Sequence, residues 1–255
     1  MKSLIITAIF SLSSLLGACT NVLGNNNGPL VTSTDSTKGF AVVELYTSEG
    51  CSSCPPADEL LSRLEQESNG QPLYLLAFHV DYWDHQGWRD SYSQHAFSER
   101  QQQYASWLGL STVYTPQMVI NGTREMIGSN VAAVKQAVNT ALDQPASASL
   151  ILQAHSEARQ LEVNWQLSSP RKNTHLLLAL VQKSGQSQVR AGENAGRKLS
   201  HVQIVRQLTT VNAQESNHTT LQLPDGFNNT DWELIGFVQN SANGKIIAAA
   251  KAALH

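Results

Sequence analysis

The sequence predicts an α/β domain over residues 39–145 followed by an all-β, sandwich-like domain over residues 146–255. Three observations carry this. Two near-continuous apolar runs, Phe40–Tyr46 and Leu73–Val80, flank a segment with a helical stripe at Ala57, Leu60, Leu61 and Leu64, the strand–helix–strand pattern of a parallel pair. Beyond Pro145 the texture changes: Leu161, Val163, Trp165 and Leu167 alternate strictly with Glu162, Asn164 and Gln166, the period-two signature of a half-buried strand. Further short runs at 148–155, 174–183, 202–208, 218–223, 232–239 and 245–250, separated by polar turns such as Ala242-Asn243-Gly244, make up the strand set of a sandwich.

Within the first domain the elements follow in order. Thr47-Ser48-Glu49-Gly50 turns the first strand into Cys51-Ser52-Ser53-Cys54-Pro55-Pro56, and prolines are tolerated in a first helical turn because their missing N–H would be unpaired there anyway. The second strand ends in His79-Val80-Asp81-Tyr82-Trp83, and an aromatic-rich connection (Trp88, Tyr92, Phe97) leads to a helix through about Leu108. Val113–Ile120 reads as a third strand entered through Pro116. Asn121-Gly122 is a strong hairpin turn, with a return strand around Thr123–Ile127, and Val131, Val134, Val138 and Leu142 mark a closing amphipathic helix.

Composition narrows the function classes. The chain of 255 residues is 41% hydrophobic and 15% charged, with a formal charge of 17 − 20 = −3, so it supports a core and argues against nucleic-acid binding through many phosphates. Three cysteines are too few for a disulfide-stapled scaffold of this length. No apolar run reaches the roughly 18 to 20 residues of a membrane-spanning helix.

The first 18 residues read as an address. Lys2 precedes a short apolar stretch, Leu4 to Leu16, and Leu16-Gly17-Ala18-Cys19 resembles the lipobox of bacterial lipoproteins, in which the cysteine becomes the lipidated first residue. The competing reading is an ordinary secretory signal with Cys19 as a stray thiol. Thr20 in place of Asp gives no inner-membrane retention signal, which points to a periplasm-facing, outer-membrane anchor. Residues 19–38, rich in Asn, Ser and Thr, read as a flexible tether.

With Cys19 assigned to the anchor, Cys51 and Cys54 remain as a pair. A CxxC entering a helix within a βαβ-like pattern reads as a thioredoxin-like redox site. The helix N-terminus favours thiolate at Cys51, making it the attacking sulfur and Cys54 the resolving one. As a passive staple the pair encloses a minimal loop and would contribute only about 2 kcal/mol or less. A metal site completed by His79 or Asp81 lacks the four Cys/His ligands of structural zinc. Ser52 and Ser53 add no positive charge and Glu49 lies close by in sequence, so only moderate thiolate stabilisation is expected.

Long motifs carry a family resemblance. Val43-Glu44-Leu45-Tyr46-Thr47-Ser48-Glu49-Gly50-Cys51-Ser52-Ser53-Cys54-Pro55-Pro56-Ala57-Asp58 resembles the opening motif of the DUF1223 family of secreted thioredoxin-like proteins. So do Phe78–Asp84, Gly87-Trp88, Arg100-Gln101 and Tyr114–Met118, while Gly192-Glu193-Asn194-Ala195-Gly196-Arg197 and His201 resemble its distal motif. The resemblance spans about residues 40–250 and implies a thioredoxin-like domain with a β-rich extension, without naming a substrate. Beside thioredoxins generally, Thr115-Pro116 resembles the cis-proline that faces the CxxC. Glu44 resembles the buried acid of the first strand, where burial would raise its pKa and suit it to proton transfer.

These readings converge on thiol–disulfide exchange with protein or small-molecule thiols, needing no cofactor: Cys51 and Cys54 as the redox pair, with Pro116 and Glu44 in catalytic support. Thr115, His79, Asp81 and Trp83 are expected at the substrate-facing rim, since ligand sites of α/β sheets lie beyond the carboxyl ends of strands. Trp88, Tyr92 and Trp107 are candidate groove residues, His85 and His95 are expected in solvent, and Glu193, Asn194, Arg197 and His201 form a polar cluster able to dock onto the redox domain. The alternatives are a Cu(I)-binding protein using the two thiols and a redox-inactive scaffold.

Overall fold

The computed structural model describes residues 39–212 and 216–254; the segments expected as leader and tether, with Cys19, lie outside the described residues. The chain is mixed α/β. It runs β1 (Ala41–Thr47), α1 (Pro55–Glu67), β2 (Leu73–His79), α2 (His95–Leu108), β3 (Gln117–Ile120), β4 (Arg124–Ile127) and α3 (Val131–Asp143). The strands β5 (Leu150–Glu157), β6 (Gln160–Leu167), β7 (Thr174–Gln188), β8 (Lys198–Val211), β9 (His218–Gln222), β10 (Trp232–Asn240) and β11 (Ile246–Ala252) follow. Among the described residues no helix is long and apolar enough to cross a membrane.

One eight-stranded sheet, ordered β11-β10-β7-β8-β2-β1-β3-β4, dominates, with a three-stranded sheet β5-β6-β9 beside it. The expectation of separate sheets on either side of residue 145 therefore gives way to a shared one. β1 and β2 pair in parallel, β3 lies antiparallel to β1, and β8 joins β2 through the pair Ala77 and Ile204. The physical reason lies in β2, which is buried along almost its whole length. Left as an edge it would expose an apolar row of unpaired N–H and C=O groups, and β8 covers that row.

Period-two alternation sorts the side chains into three apolar clusters. Ala41, Val43, Leu45, Leu75 and Ala77 face α1 and α3, meeting Ala57, Leu60, Leu61, Leu64, Val134 and Val138. Val42, Tyr46, Leu76 and Phe78 take the opposite face with Phe97 and Tyr104 of α2. In β7, Leu177, Ala179 and Val181 belong to this second cluster, while Leu176, Leu178 and Leu180 pack against Leu150, Leu152, Leu161, Val163 and Trp165 of the small sheet. β6 shows the alternation that its sequence predicts, with Leu161, Val163 and Trp165 buried and their neighbours exposed.

The third strand is shorter than its sequence suggests, beginning only after the Thr115–Pro116 bond, which is cis. Asn121 and Gly122 both take positive φ, as the hairpin turn requires. A Cβ at Gly122 would stand 1.8 Å from the Gly244 carbonyl oxygen, so glycine is what allows the β3–β4 and β10–β11 turns to touch.

Candidate functional site

Cys51 and Cys54 form a disulfide at the junction of β1 and α1. Cys54 is the N-cap of the helix, and Pro55 and Pro56 occupy its first turn. The Cys51 and Ser53 side chains lie 3.3 Å apart, and the Ser53 hydroxyl donates to the Thr115 carbonyl at 3.5 Å, which sets the CxxC turn against the residue before the cis-proline. Trp83 Nε1 donates to Thr115 Oγ1 at 2.8 Å. Cys51, Cys54, Thr115, Pro116 and Trp83 are therefore brought together at this end of the sheet.

Neither sulfur is open to solvent: both cysteines are 0% exposed. The tip of the β7–β8 hairpin, residues 189–197, sits over the turn. Asn194 Nδ2 donates to the carbonyls of Glu49 and Cys51, at 2.9 Å each, and its Oδ1 accepts from Arg197 at 2.8 Å. The Ser52 N–H donates to Glu193 Oε2 at 3.0 Å, and the Ser52 hydroxyl together with this N–H holds the Glu193 carboxyl below its ordinary value. The polar cluster of the distal motif thus docks onto the CxxC. Cys51 is thereby as buried as Cys54, with the hairpin tip seated over the turn that carries both.

Glu44 is buried but on the wrong face for the cysteines. It shares the α2 side of β1 with Val42 and Tyr46, whereas α1 packs on the side of Val43 and Leu45. Arg100 Nε donates to it at 2.7 Å, and the Tyr46 and Tyr104 hydroxyls donate as well. Held on that face by Arg100, Glu44 is not placed to exchange a proton with Cys54. Burial, reinforced by the neighbouring Glu44 charge, pushes both tyrosines well above the usual phenol range.

His79 and Asp81 also depart from the expected rim. His79 is fully buried, with Nδ1 2.7 Å from Asp90 Oδ2, so it cannot touch a substrate. Asp81 anchors the start of α2, accepting from the Ser98 hydroxyl and lying 2.9 Å from His95 Nδ1. Burial opposes its charge, but those two partners prevail and hold it below the usual carboxylate value. Trp88 donates to Glu49, Tyr92 packs edge-on to His79 and His201, and Trp107 packs on Tyr104 and donates to Ser241, so these aromatics do not form one groove. His85 and His95 are exposed as expected.

What single-position reading missed is the buried ionisable group beneath the CxxC: Glu49, Asp58, His79, Asp90 and His201, none more than 7% exposed. Asp58 was legible as the polar residue on the apolar stripe of α1, beside Ala57 and Leu61. Burial and the Asp90 charge push the Glu49 carboxyl up, against hydrogen bonds from Ser187 and Trp88. Burial would discharge both members of the His79–Asp90 pair, but their mutual attraction is stronger, raising His79 and lowering Asp90. Among the described residues, no group of three or more His, Cys, Asp or Glu side chains is arranged to hold a metal ion.

The His79–Asp90 pair makes a pH prediction. The Asp90 part of its stabilisation exists above the ordinary carboxylate value and is lost as pH falls through the lowered native value. The His79 part is complete below about 6.5 and is lost as pH rises through the raised native value. Asp90→Asn is expected to cost about 3 kcal/mol in weakly acidic buffer, with the difference from the native protein shrinking on both sides. Melts across the pH range check it; a pH-independent difference contradicts it.

The chain is similar to several solved structures. Protein AGR_C_4864 from Agrobacterium tumefaciens is 26% identical, with 83% of this chain and 92% of that one covered and a TM-score of 0.62. HBP35 of Porphyromonas gingivalis is 18% identical, with 86% and 76% covered and a TM-score of 0.62, a likeness of fold alone. None of the curated proteins matches the chain. The family described as "Protein of unknown function (DUF1223)" matches residues 42–239, which takes in the CxxC, the cis-proline and the docked hairpin tip, and the chain belongs to it.

Proposed function

We propose that this protein is a cell-envelope thiol–disulfide oxidoreductase built on a thioredoxin-like layer, with a sandwich-like β extension that caps the redox pair. The observation that carries the reading is the Cys51–Cys54 disulfide at the mouth of α1, set against the cis Thr115–Pro116 bond. A client thiolate attacks Cys51 Sγ, the Cys51–Cys54 bond breaks, and a mixed disulfide forms while Cys54 leaves as thiolate. The second client thiol then displaces Cys51, so the client is oxidised by two electrons and the protein is left as a dithiol. The reverse sequence reduces a client disulfide. The leader ending in Leu16-Gly17-Ala18-Cys19 supports anchoring at the envelope through Cys19.

One experiment addresses both parts. Reduced Cys54→Ser protein, expressed from the full chain, is expected in the membrane fraction and is expected to accumulate a mixed disulfide at Cys51 when given glutathione disulfide. Cys19→Ser in the same background releases it to the soluble fraction. Absence of any adduct at residue 51 in the folded protein, while the urea-unfolded protein reacts, overturns the exchange reading.

A further inference from the structure

Beneath the redox pair, His201 of β8 has neither ring nitrogen in a hydrogen bond, although it is only 2% exposed. Its Nε2 lies 3.7 Å from Glu49 Oε1, and its Nδ1 lies 3.7 Å from Asp58 Oδ1. Glu49 Oε1 is itself buried without a hydrogen-bond partner, as is Nε2 of His79, whose ring stands 4.7 Å from that of His201. Leaving several such atoms unpaired in a core costs about 1–3 kcal/mol each, so the arrangement needs a reason beyond packing.

β7 lies beside His201 in register at Gly185 and brings no charged group there, its Ser187 hydroxyl bonding Glu49, and the ionisable and aromatic groups come from four other segments. Glu49 comes from the β1–α1 turn, Asp58 from α1, His79 from β2 with Asp90 behind it, and Tyr92 from the β2–α2 connection. The carboxylates are fixed by other partners: Thr47 donates to Asp58 Oδ2 at 3.1 Å and Trp88 to Glu49 Oε2 at 2.7 Å, in each case leaving the other oxygen toward His201. Glu49 is two residues before Cys51, and Asp58 lies one helical turn beyond Cys54, on the same face of α1. His201 also lines a pocket of about 180 Å³ together with Pro55, Asp58, Glu59, Arg197 and Lys198, its two ring nitrogens lying buried behind that surface.

We propose that His201, clamped between Glu49 and Asp58, is the positioning residue that stores and supplies the proton for the Cys51–Cys54 couple. The step rests on the exchange reading above and balances simply. When a client thiolate attacks Cys51 Sγ, Cys54 Sγ leaves with the electron pair of the broken S–S bond. The imidazolium of His201 releases one proton, which ends on Cys54 Sγ, and the neutral imidazole takes a replacement from water. In the reverse direction the proton returns by the same path. An imidazole is the side chain whose exchange falls in the neutral range where this must work.

Linkage supplies a test that needs no client. If His201 and the sulfurs share a proton balance, the redox state must move the titration of His201, and the charge state of His201 must move that of the thiols by the same amount. NMR titration of the His201 ring in the full chain is expected to differ by about 1 pH unit between the disulfide and dithiol forms. In the dithiol form, His201→Gln is expected to displace thiolate absorbance against pH by a similar margin, and to slow reduction of the disulfide by dithiothreitol about tenfold near pH 6. Identical His201 titrations in the two redox states overturn the proposal, and that measurement requires no variant to fold. A dithiol that never forms a mixed disulfide but still shifts His201 would instead retire the exchange reading and leave the coupling in place.

Discussion

Arg100→Met is expected to destabilise the protein by about 3–5 kcal/mol, because it strands a carboxylate in the core. Glu44 is 0% exposed and the Arg100 side chain 8%, and their bond is 2.7 Å. The guanidinium also lies over the rings of Phe78, Tyr104 and Phe237 at 5.1–5.6 Å and donates to Gln239 at 3.1 Å. Without it, Glu44 keeps only two tyrosine hydroxyls as donors, too little for a buried charge. The contact ties β1, α2 and β10 together, so its loss should loosen the two halves of the large sheet at once. Urea unfolding measures the loss. Glu44→Leu combined with Arg100→Met should recover much of it, since an apolar pair of similar volume carries no desolvation penalty. A single-variant loss under about 1 kcal/mol would mean that Glu44 finds a proton or water when its cation is removed.

That ion pair marks where sequence reading stops. Local chemistry was legible: the CxxC entering α1 through two prolines, the cis Thr115–Pro116, the Asn121-Gly122 turn and the alternation in β6 each depend on a few adjacent residues. The face that Glu44 occupies was also within reach, because parity along β1 puts it with Val42 and Tyr46 and opposite the helix that begins at the cysteines. The same parity puts Thr47 and His79, partners in register, on the α1 side, where they meet Asp58 and Asp90. What no local pattern encodes is which distant residue arrives. Arg100 reaches Glu44 across 56 positions, and Asn194 reaches Cys51 across 143. The pairing of β8 with β2 is equally silent, since an apolar strand states that it needs a neighbour and not which one. The distal motif of Glu193, Asn194, Arg197 and His201 was visible as a polar group with glycines around it. Only the fold shows it divided in two, with Glu193 and Asn194 above the disulfide and His201 below.

Asn194→Ala is expected to speed reduction of the Cys51–Cys54 disulfide by a small reagent such as dithiothreitol about 10- to 30-fold. Its amide nitrogen holds two carbonyls, those of Glu49 and Cys51, and these bonds fasten the hairpin tip over cysteines that have no solvent exposure while it is seated. Each is worth about 1 kcal/mol net, so losing both shifts the seated–lifted equilibrium by about 2 kcal/mol, which sets the expected factor. Glu193→Gln should do much less, because its bond to the Ser52 N–H is exposed and keeps a neutral acceptor after the change. The tip itself should persist, since its internal turn is closed by backbone bonds from Val189 to Arg197 and from Gly196 to Val189 that neither substitution touches. Reduction rates under excess reagent, with the melting temperature as a control for global loosening, separate the two variants. If Asn194→Ala reacts at the native rate, the reagent reaches the sulfurs from the cis-proline side without moving the tip. A faster Asn194 variant with an unchanged Glu193 variant places the gate at the paired carbonyls of Glu49 and Cys51 rather than at the exposed Ser52–Glu193 bond.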